Sequence, residues 1–262
     1  MAPVVDVGQR LGVRRRLRVF RLEGPVPYAQ AHVLQQRLQE ARVQGLIPDT
    51  VLLLEHAPVI TLGRKAEVGN VLLAREQLAQ RGIELHETGR GGDVTYHGPG
   101  QLVGYPIVDL RPDRQDVRKY VNGLEETMIR TVADFGLRAE RIEGLNGTWL
   151  RDADLGDRKI GAVGVRISRW VTMHGFALNV STNMAHFQLI VPCGIVGKGV
   201  TSLSIELDRP PTMGEAMDVC ERHLAEVLDS ELERGVGDPG EGLPELPEQS
   251  TEPALGVEPP RP

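Results

Sequence analysis

The chain alternates short apolar runs with longer segments in which apolar residues recur every three or four positions. The short runs predict β-strands at Leu17–Leu22, Thr50–Leu54 and Leu102–Leu110. The longer segments predict an amphipathic helix over 28–44, from Ala31, Leu34, Leu38 and Ala41, and a second helix from about Asp116 to Phe135.

The pattern in the second half of the chain predicts a hairpin followed by a final helix. Two β-rich runs, Lys159–Ser168 and Val171–Val180, are separated only by Arg169 and Trp170. Thr212 and Glu215 form a capping box, which predicts a helix running to about Leu232. Strands and helices alternate without a regular βαβ rhythm, so the predicted fold class is α+β.

The two ends of the chain differ from its middle in composition. Residues 235–262 hold six acids against one arginine, a net of −5 out of −6 for the chain, and seven of its 18 prolines. Such a segment cannot bury enough apolar surface to fold, so we expect an N-terminal arginine-rich extension (1–15), a folded domain (16–232) and a disordered Pro/Glu/Gly-rich tail (233–262). The six arginines in 1–22 fit a solvated strand edge better than a surface for an acidic partner.

Cysteine usage and hydropathy indicate the compartment. Two cysteines, Cys193 and Cys220, cannot build a disulfide framework and lack zinc-site spacing, which favours a reducing cytoplasm. No window reaches the roughly 18 apolar residues of a membrane span. We therefore expect a cytoplasmic protein that binds neither membranes nor nucleic acid and that is a monomer.

Cys193 is the strongest candidate for chemistry. It lies between Pro192 and Gly194, on a stiff turn rather than inside an apolar run, whereas Cys220 falls on the apolar face of the last predicted helix. A free thiol needs a basic or positive neighbour to ionise at neutral pH. Lys159, at the start of a β-rich run, is a candidate, although the pattern alone fits a plain surface lysine at a strand start better.

A glycine-rich segment, 89–100, precedes both candidates. Its five glycines let backbone N–H groups approach a ligand closely, and Arg90, Tyr96 and His97 favour a binding loop over a plain connection. The segment lacks the GxGxxG spacing, and residues 194–199 fail as a Walker A loop, which excludes an NTPase. His97, His174 and His186 lack metal-ligand spacing, so we expect no metal, and His174 is interpreted as a satisfied strand histidine.

Taken together, these motifs resemble the octanoyltransferases of lipoate synthesis. The resemblance spans roughly residues 15–230 and rests on RGGDVTYHGPGQ at 90–101, RKIGAVGVR at 158–166, HGFALN at 174–179, and PCGI at 192–195 with VTSL at 200–203. It implies the fold of biotin and lipoate protein ligase catalytic domains, a mixed β-sheet with packed helices. The arginine-rich start and the Pro/Glu tail lie outside the family core.

The resemblance also implies an activity and its residues. The expected reaction moves octanoyl, or lipoyl, from acyl carrier protein to a lysine of lipoyl domains in 2-oxoacid dehydrogenase complexes and the glycine cleavage H protein, without a cofactor. Cys193 would carry the acyl group as a thioester, and Lys159 would be its partner. The acyl substrate would contact three segments: Arg90, Gly91, Gly92, Asp93, Val94, Thr95, Tyr96 and His97; Ala162, Val163 and Gly164; and Gly175, Phe176 and Ala177.

Three other protein classes remain as alternatives. An ATP-dependent lipoate or biotin ligase would share the fold but needs no cysteine. A non-catalytic acyl-binding protein would need neither Cys193 nor Lys159. A cysteine hydrolase is disfavoured because no recognisable Cys/His arrangement is present.

Overall fold

A computed structural model describes residues 14–191 and 198–245. The strands in these ranges are β1 Arg15–Val26, β2 Asp49–His56, β3 Val59–Leu62, β4 Glu84–Glu87, β5 Val94–His97, β6 Gln101–Ile107, β7 Glu140–Ile142, β8 Leu145–Leu150, β9 Arg158–Ser168, β10 Val171–Asn179, β11 Gly199–Val200 and β12 Ser230–Arg234. The helices are α1 Tyr28–Val43, α2 Arg75–Gln80, α3 Val117–Asp134, α4 Leu203–Glu206 and α5 Met213–Val227, with 3-10 turns at Val68–Asn70 and Met184–Leu189.

The strands form one large mixed sheet and one small sheet. The large sheet has the order β12-β1-β2-β6-β10-β9-β8-β7, and β11 adds to β9. The strands β12, β1 and β2 run parallel to one another, whereas the pairs from β2 through to β7 are antiparallel. The small sheet has the order β4-β3-β5. The expected α+β class with a mixed sheet is confirmed.

Helices cover both faces of the large sheet. Apolar side chains of α3 and α5, including Leu124 and Leu224, share one buried cluster with strand residues such as Leu102. On the opposite face, Ala31 and Leu38 of α1 pack with Leu52, Leu54 and Val103. Because both faces of the central strands are buried, β2 and β6 are continuous apolar runs rather than alternating ones.

The hairpin and the helices predicted from the sequence are present. Arg169 (φ +50°) and Trp170 (φ +64°) form the two-residue turn between β9 and β10, with the left-handed conformations of a type I′ turn. The side chain of Asp116 caps α3 by accepting a hydrogen bond from the Lys119 N–H. The capping box of Thr212 and Glu215 starts α5.

The end of α5 and the place of β1 differ from the prediction. The helix ends at Val227 rather than near Leu232, and the chain then forms β12, which pairs in parallel with β1. The strand β1 is therefore an interior strand, and the expected solvated basic edge is wrong. Its arginines form ion pairs, such as Arg18 with Glu233 (2.9 Å) and Arg21 with Asp218 (2.6 Å).

The predicted start of the tail also needs correction. The boundary between 232 and 233 falls inside β12, and some of residues 235–245 contact the domain, although Val236 is exposed. The Gly235 N–H donates to Val19 O (2.8 Å), and the Arg37 guanidinium donates to Leu243 O (2.8 Å). Leu243 packs on the cluster beneath α1. Residues 246–262, like residues 1–13, lie outside the described residues.

Candidate active site

A cavity of about 260 Å³ opens where the glycine-rich loop meets the β9–β10 hairpin. Its walls come from the loop and β5, from the middle of β9 and β10, and from the turn before β8. In register, Phe176 of β10 pairs with Val163 of β9, and Ala177 pairs with Ala162. These small and apolar residues line the cavity, so its walls suit an aliphatic chain.

Twelve of the fourteen residues expected to contact the acyl substrate line this cavity. They are Arg90, Gly92, Asp93, Val94, Thr95, His97, Ala162, Val163, Gly164, Gly175, Phe176 and Ala177. The other two, Gly91 and Tyr96, do not line the cavity. The Gly91 N–H donates to Val165 O (3.0 Å), and Tyr96 is fully buried with its hydroxyl 2.6 Å from His186 Nδ1. These two hydrogen bonds hold the loop in place.

Arg90, at the start of the glycine-rich loop, holds the loop in place through hydrogen bonds to a neighbouring strand. Arg90 is 7% exposed, and its guanidinium donates to the carbonyl (2.6 Å) and the hydroxyl (2.9 Å) of Thr61 on β3. The loop carbonyls of Arg90 and Gly92 accept hydrogen bonds from the Arg64 and Lys65 N–H groups. The loop conformation is therefore fixed from the small sheet.

Lys159 lies on β9 in the cavity wall. It is half-buried, and its Nζ lies 4.7 Å from the ring centroid of Trp149, its partner on β8. Gly147 has a φ of +113°, and a Cβ there would lie 2.5 Å from Gly161 O and 3.3 Å from Lys159 Cε, so the glycine allows β8 to approach β9 closely beside the lysine stem. A cation over an aromatic face is stabilised by the ring quadrupole. The contacts of Trp149 and Gly147 with Lys159 could not be predicted from the sequence, because only the pairing of β8 with β9 brings these residues together.

Cys193, the predicted nucleophile, lies outside the described residues, so its distance from Lys159 stays a prediction. Thr201, which follows the undescribed segment, donates its N–H to Lys159 O (2.9 Å). The chain therefore leaves that segment beside Lys159. The other cysteine, Cys220, is a fully buried side chain of α5, as expected.

One end of the cavity is polar, a feature that the sequence did not reveal. Tyr28, Tyr105, His97 and His174 line it. Burial lowers the pKa of His97 and of His174 to about 3, so both imidazoles are neutral at pH 7. The interpretation of His174 as a satisfied histidine is wrong, because its Nε2 is buried without a hydrogen-bond partner among the described residues, and its φ is +59°.

The sequence prediction missed eleven further lining residues. They are Tyr28, Gln101, Tyr105, Gly144, Leu145, Asn146, Gly161, His174, Asn179, Phe187 and Val200. Gln101, Gly161, His174, Asn179 and Val200 lie within the motifs quoted above, which were the available signal, and the other six come from elements distant in sequence. Within 14–191 and 198–245, no group of three or more His, Cys, Asp or Glu side chains is placed to hold a metal ion. No helix of that part of the chain has the length and hydropathy to cross a membrane.

Comparison with known proteins gives a consistent family. Residues 27–225 match the family model of the lipoyl protein ligase A/B catalytic domain. An octanoyltransferase of Acidobacterium capsulatum is 50% identical over 233 residues, covering 85% of this chain and 94% of the relative. An octanoyltransferase of Chloroflexus aggregans is 47% identical over 216 residues, covering 82% and 96%.

A solved structure supports the fold at lower identity. A putative lipoate protein ligase from Thermoplasma acidophilum, with bound lipoic acid, superposes with a TM-score of 0.69 at 16% identity, covering 86% of this chain and 92% of the other. At 16% identity this likeness shows the fold alone, whereas the relatives that are 47–50% identical show the family. The chain belongs to the octanoyltransferases, acyltransferases within the lipoyl protein ligase A/B catalytic-domain family.

Proposed function

We propose that this protein transfers an octanoyl or lipoyl group from acyl carrier protein to a lysine of lipoyl domains, through a thioester on Cys193. The acceptors would be the lipoyl domains of 2-oxoacid dehydrogenase complexes and the glycine cleavage H protein. The observation that carries the proposal is a cavity with small apolar walls and Lys159 in its rim. The named activity of relatives about 50% identical to the chain supports the same acyl group.

In the first half-reaction, the Cys193 thiolate attacks the carbonyl carbon of the carrier thioester. The carbon–sulfur bond to the carrier breaks, and the carrier leaves as a thiol once its thiolate has received the proton that Cys193 gave up. One thioester replaces another, so this exchange is close to balanced and needs no ATP. Lys159, neutral before the attack, is proposed to take the proton from the Cys193 thiol and to return it to the carrier thiolate.

In the second half-reaction, a lysine amine of the lipoyl domain attacks the Cys193 thioester. An amide forms, the cysteine thiolate leaves, and Lys159 receives the surplus proton of the amine. Amide formation from a thioester runs downhill, which gives the overall transfer its direction. Covalent catalysis divides one difficult transfer between two proteins into two easier steps.

The arginines in 14–21 are poor candidates for guiding the acyl carrier protein to the site. The structure pairs them with acidic side chains. Arg158 is likewise paired with Glu206 (3.0 Å), and Arg169 with Glu40. Arg64 and Lys65 are exposed at the base of the glycine-rich loop and form no ion pair with a described residue. They are the better-placed cations for an acidic carrier protein.

The test is transfer to a purified lipoyl domain with octanoyl carrier protein as the only acyl donor and with no nucleotide. A solved lipoate-protein ligase A bound with ATP has the same fold, so the ATP-dependent alternative deserves a direct comparison. A parallel reaction receives free octanoate and ATP. We expect octanoylation in the first reaction and none in the second. The reverse result would identify an ATP-dependent ligase and overturn the proposal.

A further inference from the structure

A chain of buried hydrogen bonds runs through the wall of the cavity. It links Thr201, Asn179 of β10, Gln101 of β6 and His97 of β5, and these residues are at most 7% exposed. Asn179 Nδ2 donates to Thr201 O (3.0 Å), Gln101 Nε2 donates to Asn179 Oδ1 (2.9 Å), and Gln101 Oε1 lies 2.6 Å from His97 Nδ1.

Two backbone carbonyls fix the direction of this chain. A carbonyl can only accept, so Thr201 O requires the amide nitrogen of Asn179 on its side and leaves Asn179 Oδ1 facing Gln101. The Gln101 amide nitrogen also donates to Tyr96 O (3.2 Å), which orients that side chain independently. Gln101 therefore presents its oxygen to the imidazole, and His97 must carry its proton on Nδ1.

The consequence is a lone pair on His97 Nε2. His97 lines the cavity, and its Nε2 makes no hydrogen bond with a described residue, so this nitrogen is the one left to meet a ligand. Burial lowers the pKa of the imidazole to about 3, which keeps it neutral. An aliphatic acyl chain carries no hydrogen-bond donor and cannot use such an acceptor.

The proposed reaction brings two donors to the cavity, the cysteine thiol and the acceptor amine. Lys159 already serves the thiol in the proposed first step. We propose that His97 Nε2 accepts a hydrogen bond from the attacking lysine amine, and that Gln101 and Asn179 are positioning residues that hold His97 in the required tautomer. One N–H bound to Nε2 orients the amine lone pair toward the thioester, while Lys159 still receives the proton. This inference rests on the proposed function.

The tautomer can be measured without any substrate. Long-range ¹H–¹⁵N NMR of protein labelled with ¹⁵N-histidine distinguishes Nδ1–H from Nε2–H imidazoles, and His97→Asn identifies the signals. We expect Nδ1–H with an unprotonated Nε2 in the wild type, and a mixed or Nε2–H form in Gln101→Met. Nε2–H in the wild type would overturn the inference and leave the proposed function untouched.

Separate half-reactions test the role in transfer. Gln101→Met should slow the passage of octanoyl to the lipoyl domain roughly 10- to 100-fold more than it slows formation of the octanoyl enzyme, the range for a misplaced reacting group. Gln39→Met, which loses one hydrogen bond to Val171 O on α1's side of the sheet, is the matched control. Equal slowing of both half-reactions, or none, would contradict the assignment.

Discussion

At the scale of single residues, Lys159 and Lys198 share one aromatic ring but differ in their surroundings. Their Nζ atoms lie 4.7 Å and 5.8 Å from the Trp149 ring centroid. Lys198 forms an ion pair with Asp157, whereas Lys159 lies in the cavity wall. This pair of lysines allows the role of proton transfer to be separated from the role of charge.

We predict that Lys159→Arg lowers acyl transfer by about 100-fold or more, because an arginine stays protonated and cannot act as a base. Steady-state transfer to a lipoyl domain measures the loss. The control is Lys198→Arg, which keeps the charge beside the same ring and should stay near wild type. Comparable turnover by the two variants would remove the acid–base role of Lys159.

The sequence analysis placed Cys220 in the core, and the structure confirms this prediction. Cys220 is fully buried in α5, and burial raises the pKa of its thiol to about 12, so it is not a nucleophile at neutral pH. The polar end of the cavity was not predictable, because Tyr28, Tyr105 and His174 lie on three elements that only the fold brings together. A single sequence reveals periodicity within an element but not which side chains face each other between elements.

At the scale of elements, periodicity located the three long helices and the β9–β10 hairpin, but it missed α2 and α4 and misplaced the end of α5. The residues Ser230–Arg234 pair with β1, which lies at the other end of the chain, and this non-local pairing overrides the local helical pattern. The composition of the tail misled in the same way. Leu243 is one apolar residue in a polar segment, yet Arg37 donates a hydrogen bond to its carbonyl, and its side chain packs on the cluster that includes Ala31 and Leu38 of α1.

We therefore predict different effects from two C-terminal truncations. A chain ending at Glu245 should have a free energy of unfolding within about 0.5 kcal/mol of that of the full chain, because no described contact is lost. A chain ending at Arg234 loses the Leu243 packing and the Arg37 hydrogen bonds, and should be about 1–3 kcal/mol less stable. Urea unfolding measures both, and equal stability would show that residues 235–245 add nothing.

At the scale of the whole molecule, several neutral histidines lie together between α1 and the large sheet. His32 stacks on His174, and His56 lies next to His97 and Tyr105. Burial lowers the pKa of His56 to about 4 and the pKa of His97 and His174 to about 3. These groups bind protons near pH 6.5 when unfolded, but not when folded.

Stability should therefore be complete above about pH 6.5 and fall as the pH drops toward the folded-state pKa values of 3–4. We predict a decrease of at least about 1 kcal/mol in the free energy of unfolding between pH 7 and pH 5, a window above the titration of most carboxylates. The measurement is urea unfolding across that window. A flat profile would mean that the buried histidines are hydrated or paired.

The central claim is that the acyl group passes through Cys193. Intact-mass analysis after incubation with octanoyl carrier protein, without a lipoyl domain, tests it most directly. We predict that the wild type and Cys220→Ser each gain the mass of one octanoyl group in a hydroxylamine-sensitive bond, and that Cys193→Ala gains none. An adduct on Cys193→Ala, or full transfer by that variant to a lipoyl domain, would contradict the account.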